Sequence, residues 1–234
     1  MRREDALEAR LAGASLARRA RAPSLRHSTP SVVARARAAL LFRARPPFDQ
    51  RSLVEQARNF ALSLPAPVRL QICLSLDGAR AFVYAWMEPA ALDTCSAAGP
   101  RAARLEPLAE WDGASAAGQA PYHYVVTTDV APENEADFNR WYDTEHMPGL
   151  AGVAGTVHCA RLRSREGGQG EARGLRYHAC YDLVAPAVLN SADWLALRRT
   201  AWASRVRRHF ENPRRLMFRT VLDERRLAVS GAYF

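Results

Sequence analysis

The residues best suited to chemistry lie close together in the stretch FNRWYDTEHMP, which combines aromatic rings, carboxylates and an imidazole. In a helix, residues three and four apart share a face, so Phe138, Trp141 and Glu145 are expected on one side. Tyr142 and His146 are expected on an adjoining side. An imidazole beside aromatic rings, with a charge that changes near neutral pH, suits an acid/base site for a small molecule.

The end of this helix predicts how the imidazole is charged. Pro148 disfavours a helical conformation at the residue before it, so His146 is expected in the last turn. The helix macrodipole at that end favours a protonated ring, and the nearby carboxylates of Asp143 and Glu145 favour it too. The same spacing also fits a structural helix whose rings belong to the core and whose histidine caps the end.

The residues on the C-terminal side of this stretch extend the pattern to that of a known superfamily. After WYDTEHMP at 141–148 come GLAGVAG, a strand-like segment at 156–163, a glycine-rich gap and the strand-like stretch RYHACYDL. This order resembles the dimeric α/β-barrel superfamily, and within it the EthD-like family, over about residues 122–222. The family usually has an aromatic residue where this chain has Thr156, which indicates a differently shaped pocket on the same fold.

The resemblance implies a protein that binds, and in some relatives transforms, a small apolar or aromatic metabolite by acid/base chemistry. Relatives include isomerases, cyclases and cofactor-independent monooxygenases, so no cofactor is expected. His146 would be the acid/base group, with Glu145 or Asp143 setting its protonation. The rings expected to contact the ligand are those of Phe138, Trp141, Tyr142, Tyr177 and Tyr181. The alternative is a non-catalytic accessory protein of a catabolic pathway that binds a small molecule or haem.

The pattern of elements predicts an α+β fold in which a ferredoxin-like unit, β-α-β-β-α-β, occurs twice. We predict a basic N-terminal extension at 1–37, a degenerate first half at 38–112, a linker at 113–121 and a second half at 122–234. Each half would form a four-stranded antiparallel sheet with helices on one face, and the other face needs covering. The two sheets are therefore expected to close an intrachain, pseudo-dimeric α/β barrel, as a monomer or a homodimer.

The two predicted halves differ in their polar residues. When Pro65 is aligned with Pro148, Ser63 falls on His146 and Asn59 falls on Tyr142. The first half thus lacks the motif, which predicts one working site per chain.

The charge balance is strongly basic, with a formal net charge of +9 in 234 residues, and all 33 basic residues are arginine. Such a charge promotes non-specific binding to polyanions. However, the sequence lacks the aromatic RNP1 stretch of RNA-binding ferredoxin-like sheets, so nucleic-acid binding is not favoured. The arginine pairs of the second half, at 198–199, 207–208, 214–215 and 225–226, are interpreted as a solvated surface.

The remaining composition favours a cytoplasmic protein without a metal. Cys73, Cys95, Cys159 and Cys180 show no C-x-x-C spacing and are expected to be reduced core thiols, although Cys159 and Cys180 could face each other. No run of 18 apolar residues exists that would span a membrane. Three strand histidines suggest a metal site, but satisfied histidines in a sheet are commoner. They are His123, His158 and His178.

Overall fold

The computed structural model describes residues 36–64, 67–95, 102–165 and 175–226. The expected basic extension lies almost wholly outside the described residues. The strands are β1 Ala38–Ala44, β2 Val68–Ser75, β3 Ala81–Met87, β4 Ala102–Asp112, β5 Tyr122–Asp129, β6 Thr156–Ser164, β7 Tyr177–Leu183 and β8 Glu211–Arg226. The α-helices are α1 Gln50–Leu62, α2 Pro89–Thr94, α3 Pro132–Trp141, α4 Met147–Ala151, α5 Ala192–Arg198 and α6 Ala201–Val206.

The eight strands form a closed antiparallel barrel in the order β1-β3-β2-β8-β5-β7-β6-β4. The first four strands are arranged β4-β1-β3-β2, and the last four repeat this arrangement as β8-β5-β7-β6. Pairing of β2 with β8 and of β4 with β6 joins the two sheets and leaves no open edge. The predicted α+β fold with two ferredoxin-like units in one barrel is confirmed.

Alternation along the strands divides the apolar side chains between the barrel interior and the two helix-covered faces. The interior holds residues such as Tyr84, Leu162 and Phe218. One outer cluster packs under the helices of the second half, and another packs under α1 and α2. This separation also corrects one expectation: Cys180 pairs with Ala160 and points into the barrel, whereas Cys159 belongs to the helix-covered cluster. The two thiols do not face each other.

Local capping explains where two of the helices begin. The Asp49 carboxylate accepts a hydrogen bond from the Ser52 N–H at 2.7 Å, as expected for the N-cap of α1. In the second half, the second helix of the ferredoxin-like unit is divided into α5 and α6. The Thr200 hydroxyl accepts a hydrogen bond from the Ala203 N–H at 3.0 Å and starts α6 as a separate helix.

The segment between the halves is anchored to the second half at its start. The backbone N–H groups of Gly113 and Ser115 donate to the carbonyls of Val157 and Thr156, each at 2.9 Å. A Cβ on Gly113 would lie 2.0 Å from the Thr156 oxygen, so the backbones approach too closely for any side chain. Gly113 is therefore required by the close packing of this predicted linker against β6.

Replacing Gly113 with alanine is expected to lower the free energy of unfolding by roughly 2–4 kcal/mol, because the methyl group must displace backbone. Gly152→Ala is the matched control, since its Cβ would meet no atom closer than 3.3 Å. Urea unfolding of both variants measures the difference. Equal losses in the two variants would contradict the close approach.

A network of buried polar groups connects the two halves at one end of the barrel. Asp182 on β7 accepts hydrogen bonds from Gln71 on β2 at 3.1 Å and contacts the ring of His123 on β5 at 2.7 Å. It also forms an ion pair with Arg69 of β2 at 3.3 Å. Burial alone would raise the pKa of Asp182, but His123 and Arg69 outweigh burial and hold that pKa far below its usual range.

Candidate active site

The motif helix does not end at Pro148, contrary to expectation. After α3, residues Tyr142–His146 form a π-helical turn, and α4 follows directly from Met147. The Met147 N–H donates to the Tyr142 carbonyl, five residues back, and Pro148, which has no N–H, occupies the start of α4. Such wide turns are frequent at functional sites, and this one brings His146 back against Trp141.

His146 is enclosed by aromatic rings. Its imidazole stacks on Trp141 with ring centroids 4.1 Å apart and meets Tyr142 edge-on at 5.4 Å. Only 8% of the residue is exposed, and among the described residues its Nδ1 has no hydrogen-bond partner. A buried polar atom without a partner costs free energy, so its presence calls for an explanation.

The charge state of His146 also differs from expectation. Burial lowers the pKa of His146 to about 3, and the positive charges of Arg207, Arg198 and Arg161 act in the same direction. The expected imidazolium is therefore wrong, because desolvation and neighbouring guanidiniums outweigh the helix end. The ring is a neutral acceptor at physiological pH.

Neither motif carboxylate contacts His146. Glu145 accepts hydrogen bonds from Trp141 Nε1 at 3.0 Å and from the Thr200 hydroxyl at 2.7 Å. Asp143 pairs with Arg161 at 2.5 Å and is partly exposed. Glu145 thus orients the indole on which His146 stacks, whereas Asp143 neutralises a buried arginine. Since neither carboxylate bonds the imidazole, the structure does not support the expectation that one of them directly sets the protonation of His146.

A small cavity of about 30 Å³ lies between the second sheet and its helices, with His146 in its wall. Of the rings expected to contact a ligand, those of Trp141, Tyr142 and Tyr181 line it. The other lining residues are Tyr124, Val126, Leu150, Trp194, Arg198, Arg207, Phe210 and Arg215. Burial raises the pKa of Tyr142 to about 12, so its hydroxyl remains a hydrogen-bond donor.

Phe138 and Tyr177 lie behind the cavity wall. Their rings pack against each other with centroids 4.8 Å apart, and Phe138 also packs edge-on against Tyr142 at 4.9 Å. The Tyr177 hydroxyl donates to Glu135 on α3. These two rings therefore position Tyr142 instead of lining the cavity.

Arg161, which is 1% exposed, was not singled out from the sequence. Its guanidinium lies 4.6 Å from the Tyr142 ring centroid and donates to the side-chain oxygen of Asn139 at 2.7 Å, in addition to its Asp143 pair. The strand period could have indicated its burial, because Arg161 lies two residues after Cys159 on β6 and shares its helix-covered face. It holds Tyr142 in place by this contact and does not itself line the cavity.

The arginine pairs are not all solvated, which corrects the sequence interpretation. Arg199, Arg208 and Arg214 are exposed as expected. Their neighbours Arg198, Arg207 and Arg215 are half-buried and line the cavity. Adjacent residues on a strand or helix point in different directions, so one member of each of these three pairs faces inward.

The strand histidines do not gather around one point. His123 and His158 both lie near Asp182, whereas His178 bonds the Leu175 carbonyl at 3.0 Å. Within the part of the chain that the structure describes, no group of three potential ligands is placed to hold a metal ion.

An open cleft of about 720 Å³ lies at the Asp182 end of the barrel. Its buried charges, including Arg69, are already paired with each other.

No family model matches the sequence, and no curated protein matches it. In the described ranges, no helix has both the length and the apolar character that crossing a membrane requires.

Solved structures with the same fold do exist. An anthrone oxidase-like protein superposes with a TM-score of 0.57 at 14% identity, covering 84% of this chain and 96% of that one. A monooxygenase-like protein from Listeria innocua gives a TM-score of 0.52 at 5% identity, covering 80% and 94%. A ferredoxin-fold protein related to antibiotic biosynthesis monooxygenases, from Listeria monocytogenes, gives 0.53 at 6%, covering 80% and 95%. At these identities the likeness concerns the fold alone, which is a ferredoxin-like α/β barrel.

Proposed function

We propose that this protein binds a small aromatic metabolite in the His146 cavity, and that the neutral imidazole of His146 removes a proton from it. The observation that carries the proposal is the buried, unpartnered Nδ1 of His146 in a wall of aromatic rings. An acceptor without a partner in the free protein is available to a ligand. Stacking on Trp141 holds the ring in place, and the Glu145 hydrogen bond holds Trp141.

The chemistry that we assign to this arrangement is general base catalysis, for which the imidazole must be neutral, although its lowered pKa makes it a weaker base than a free histidine. A proton leaves an acidic C–H or O–H of the ligand for His146, and the electron pair stays on the ligand as an enolate or phenolate. The Tyr142 hydroxyl and the nearby guanidiniums stabilise that negative charge. Proton removal is the first step shared by isomerase, cyclase and cofactor-independent monooxygenase reactions. The WYDTEHMP motif supports the finer assignment to the EthD-like family, acting in the cytoplasm in catabolism.

The ligand-free cavity is smaller than an aromatic ring requires, since a cavity of about 150 Å³ is known to hold benzene. Binding therefore needs movement of side chains that line the cavity. A porphyrin is many times larger and would require the helices to separate from the sheet. The residues present do not fit haem, although His146 offers an unpartnered nitrogen.

Hydrogen–deuterium exchange of an added ligand tests the proposal without knowledge of the final product. Anthrone, suggested by the name of one structural neighbour, and the smaller 2-indanone both carry acidic C–H groups. In D₂O, the protein is expected to accelerate loss of the C–H signal of at least one probe by about 100-fold over buffer. Quenching of tryptophan fluorescence reports binding through Trp141 and Trp194. Binding without accelerated exchange would instead favour the non-catalytic alternative.

A further inference from the structure

Several positively charged side chains line the cavity. Three of its residues are arginines, and among the described residues that line it there is no aspartate or glutamate. The three arginines come from separate elements: Arg198 ends α5, Arg207 begins the short 3₁₀ turn after α6, and Arg215 lies on β8. All three are half-buried, so bulk water and salt screen their charges only in part.

The neighbouring titratable groups respond to this positive potential. Besides burial, the charges of Arg207 and Arg198 lower the pKa of His146. Arg215 and Arg207 also act to lower the pKa of Tyr142, against the larger effect of burial. Each of the three lining arginines therefore acts on His146 or Tyr142, and Arg207 acts on both, as does the buried Arg161.

The cavity is also lined by aromatic rings. Trp141, Tyr181 and Trp194 line it, and Tyr181 and Trp194 pack edge-on with centroids 5.2 Å apart. The lining therefore offers aromatic faces that suit a flat apolar ring and guanidiniums that suit a compact negative charge. Planar guanidiniums bind carboxylate and phenolate oxygens through directed hydrogen bonds.

We infer that the ligand of this cavity is an aromatic anion, with its ring against Trp194 and Tyr181 and its acidic group against Arg198, Arg207 and Arg215. The inference rests on the proposed function only for the location of the site. It adds that the acidic group is present when the ligand binds and is recognised before any proton reaches His146. An aromatic carboxylic acid and an acidic phenol both meet this description.

Three nitroaromatic probes of similar size separate the contributions of ring and charge. 4-Nitrobenzoate carries a permanent negative charge, 4-nitrophenol ionises near neutral pH, and nitrobenzene is neutral. Titration followed by tryptophan quenching is expected to show 4-nitrobenzoate or 4-nitrophenol binding about tenfold more tightly than nitrobenzene. The absorption band of bound 4-nitrophenol is expected to be that of the phenolate. The preferred anion distinguishes a carboxylic acid from a phenol as the natural acidic group.

Matched arginine variants locate the charge contribution. Arg215→Gln and Arg207→Gln are each expected to weaken anion binding by about fivefold or more, with little change for nitrobenzene. Arg214→Gln and Arg208→Gln make the same charge change at exposed neighbours and are expected to leave the anion affinity nearly unchanged. Equal affinity for neutral and anionic probes would overturn the inference. Failure of all three probes to bind, or equal losses in lining and control variants, would also overturn it.

These outcomes are distinguishable from failure of the proposed function. If anions are preferred but no probe exchanges its C–H in a His146-dependent manner, the charge inference stands and proton abstraction fails. If exchange depends on His146 while neutral and charged probes bind equally, the proton abstraction stands and the charge inference fails.

Discussion

Replacing His146 with glutamine is expected to reduce protein-catalysed exchange of the ligand C–H by about 100- to 10,000-fold, the usual contribution of a positioned base. Glutamine keeps a polar side chain of similar reach but does not accept a proton. Because no hydrogen bond holds Nδ1 of His146 among the described residues, the fold is expected to survive the change. Circular dichroism checks the fold, and NMR in D₂O measures the exchange.

His209 supplies the matched control for this variant, because it is exposed and lies outside the cavity wall. His209→Gln is expected to leave the exchange rate within about twofold of wild type, since surface substitutions are usually nearly neutral.

The pH profile of the exchange rate offers an independent check. With the pKa of His146 lowered to about 3, the ring remains in its basic form as the pH falls from 7 to 5. The exchange rate should therefore not decline over that range, as it would for an unperturbed histidine.

Replacing Asp182 with asparagine is expected to lower the free energy of unfolding by about 3–5 kcal/mol, because it breaks a buried charge network. His123 and Arg69 would lose the carboxylate that offsets their own desolvation. The network also connects strands of the first half to strands of the second, so its loss weakens closure of the barrel. Urea unfolding at neutral pH measures the change.

Asp223→Asn is the control for this network, since Asp223 bonds the same Arg69 but its side chain is 38% exposed. Its loss is expected to lower the free energy of unfolding by no more than about 1 kcal/mol.

The dependence of the free energy of unfolding on pH supplies a second criterion. Because the pKa of Asp182 is depressed in the folded state, its contribution is present above the unfolded pKa near 4 and is lost as the pH falls further. If the free energy of unfolding of the wild-type protein does not decrease as the pH is lowered below about 4, the depressed pKa of Asp182 is contradicted.

The fold was predictable from the sequence because local signals and the global pattern agree. Alternating strands and the repeated element order both indicate the two ferredoxin-like units that the barrel contains. The helix ends were less predictable, since Pro148 stops a helix only when the preceding turn is α-helical. Here a π turn, with its wider spacing, changes the direction of the motif before the proline.

The site was predictable as a cluster of residues but not in its electrostatics. Spacing places Trp141, Tyr142 and His146 near each other, and all three line the cavity. The charge of His146, however, depends on burial and on Arg198 and Arg207, which come from distant parts of the chain. Contacts between residues that are far apart in the sequence cannot be read from spacing. The nearby carboxylates of Asp143 and Glu145 were therefore expected to set the charge of His146, whereas in the fold they bond other residues.

The protonation state of His146 in the ligand-free protein tests the proposed chemistry most directly. NMR of protein with ¹⁵N-labelled histidine, with His146→Gln to assign the signal, reports the ring nitrogens during a titration. We expect the His146 ring to stay neutral from about pH 8 down to about pH 5, while a short unstructured histidine peptide takes up its proton near pH 6.5. A His146 signal that titrates together with the peptide would contradict the buried, neutral base on which the proposed chemistry depends.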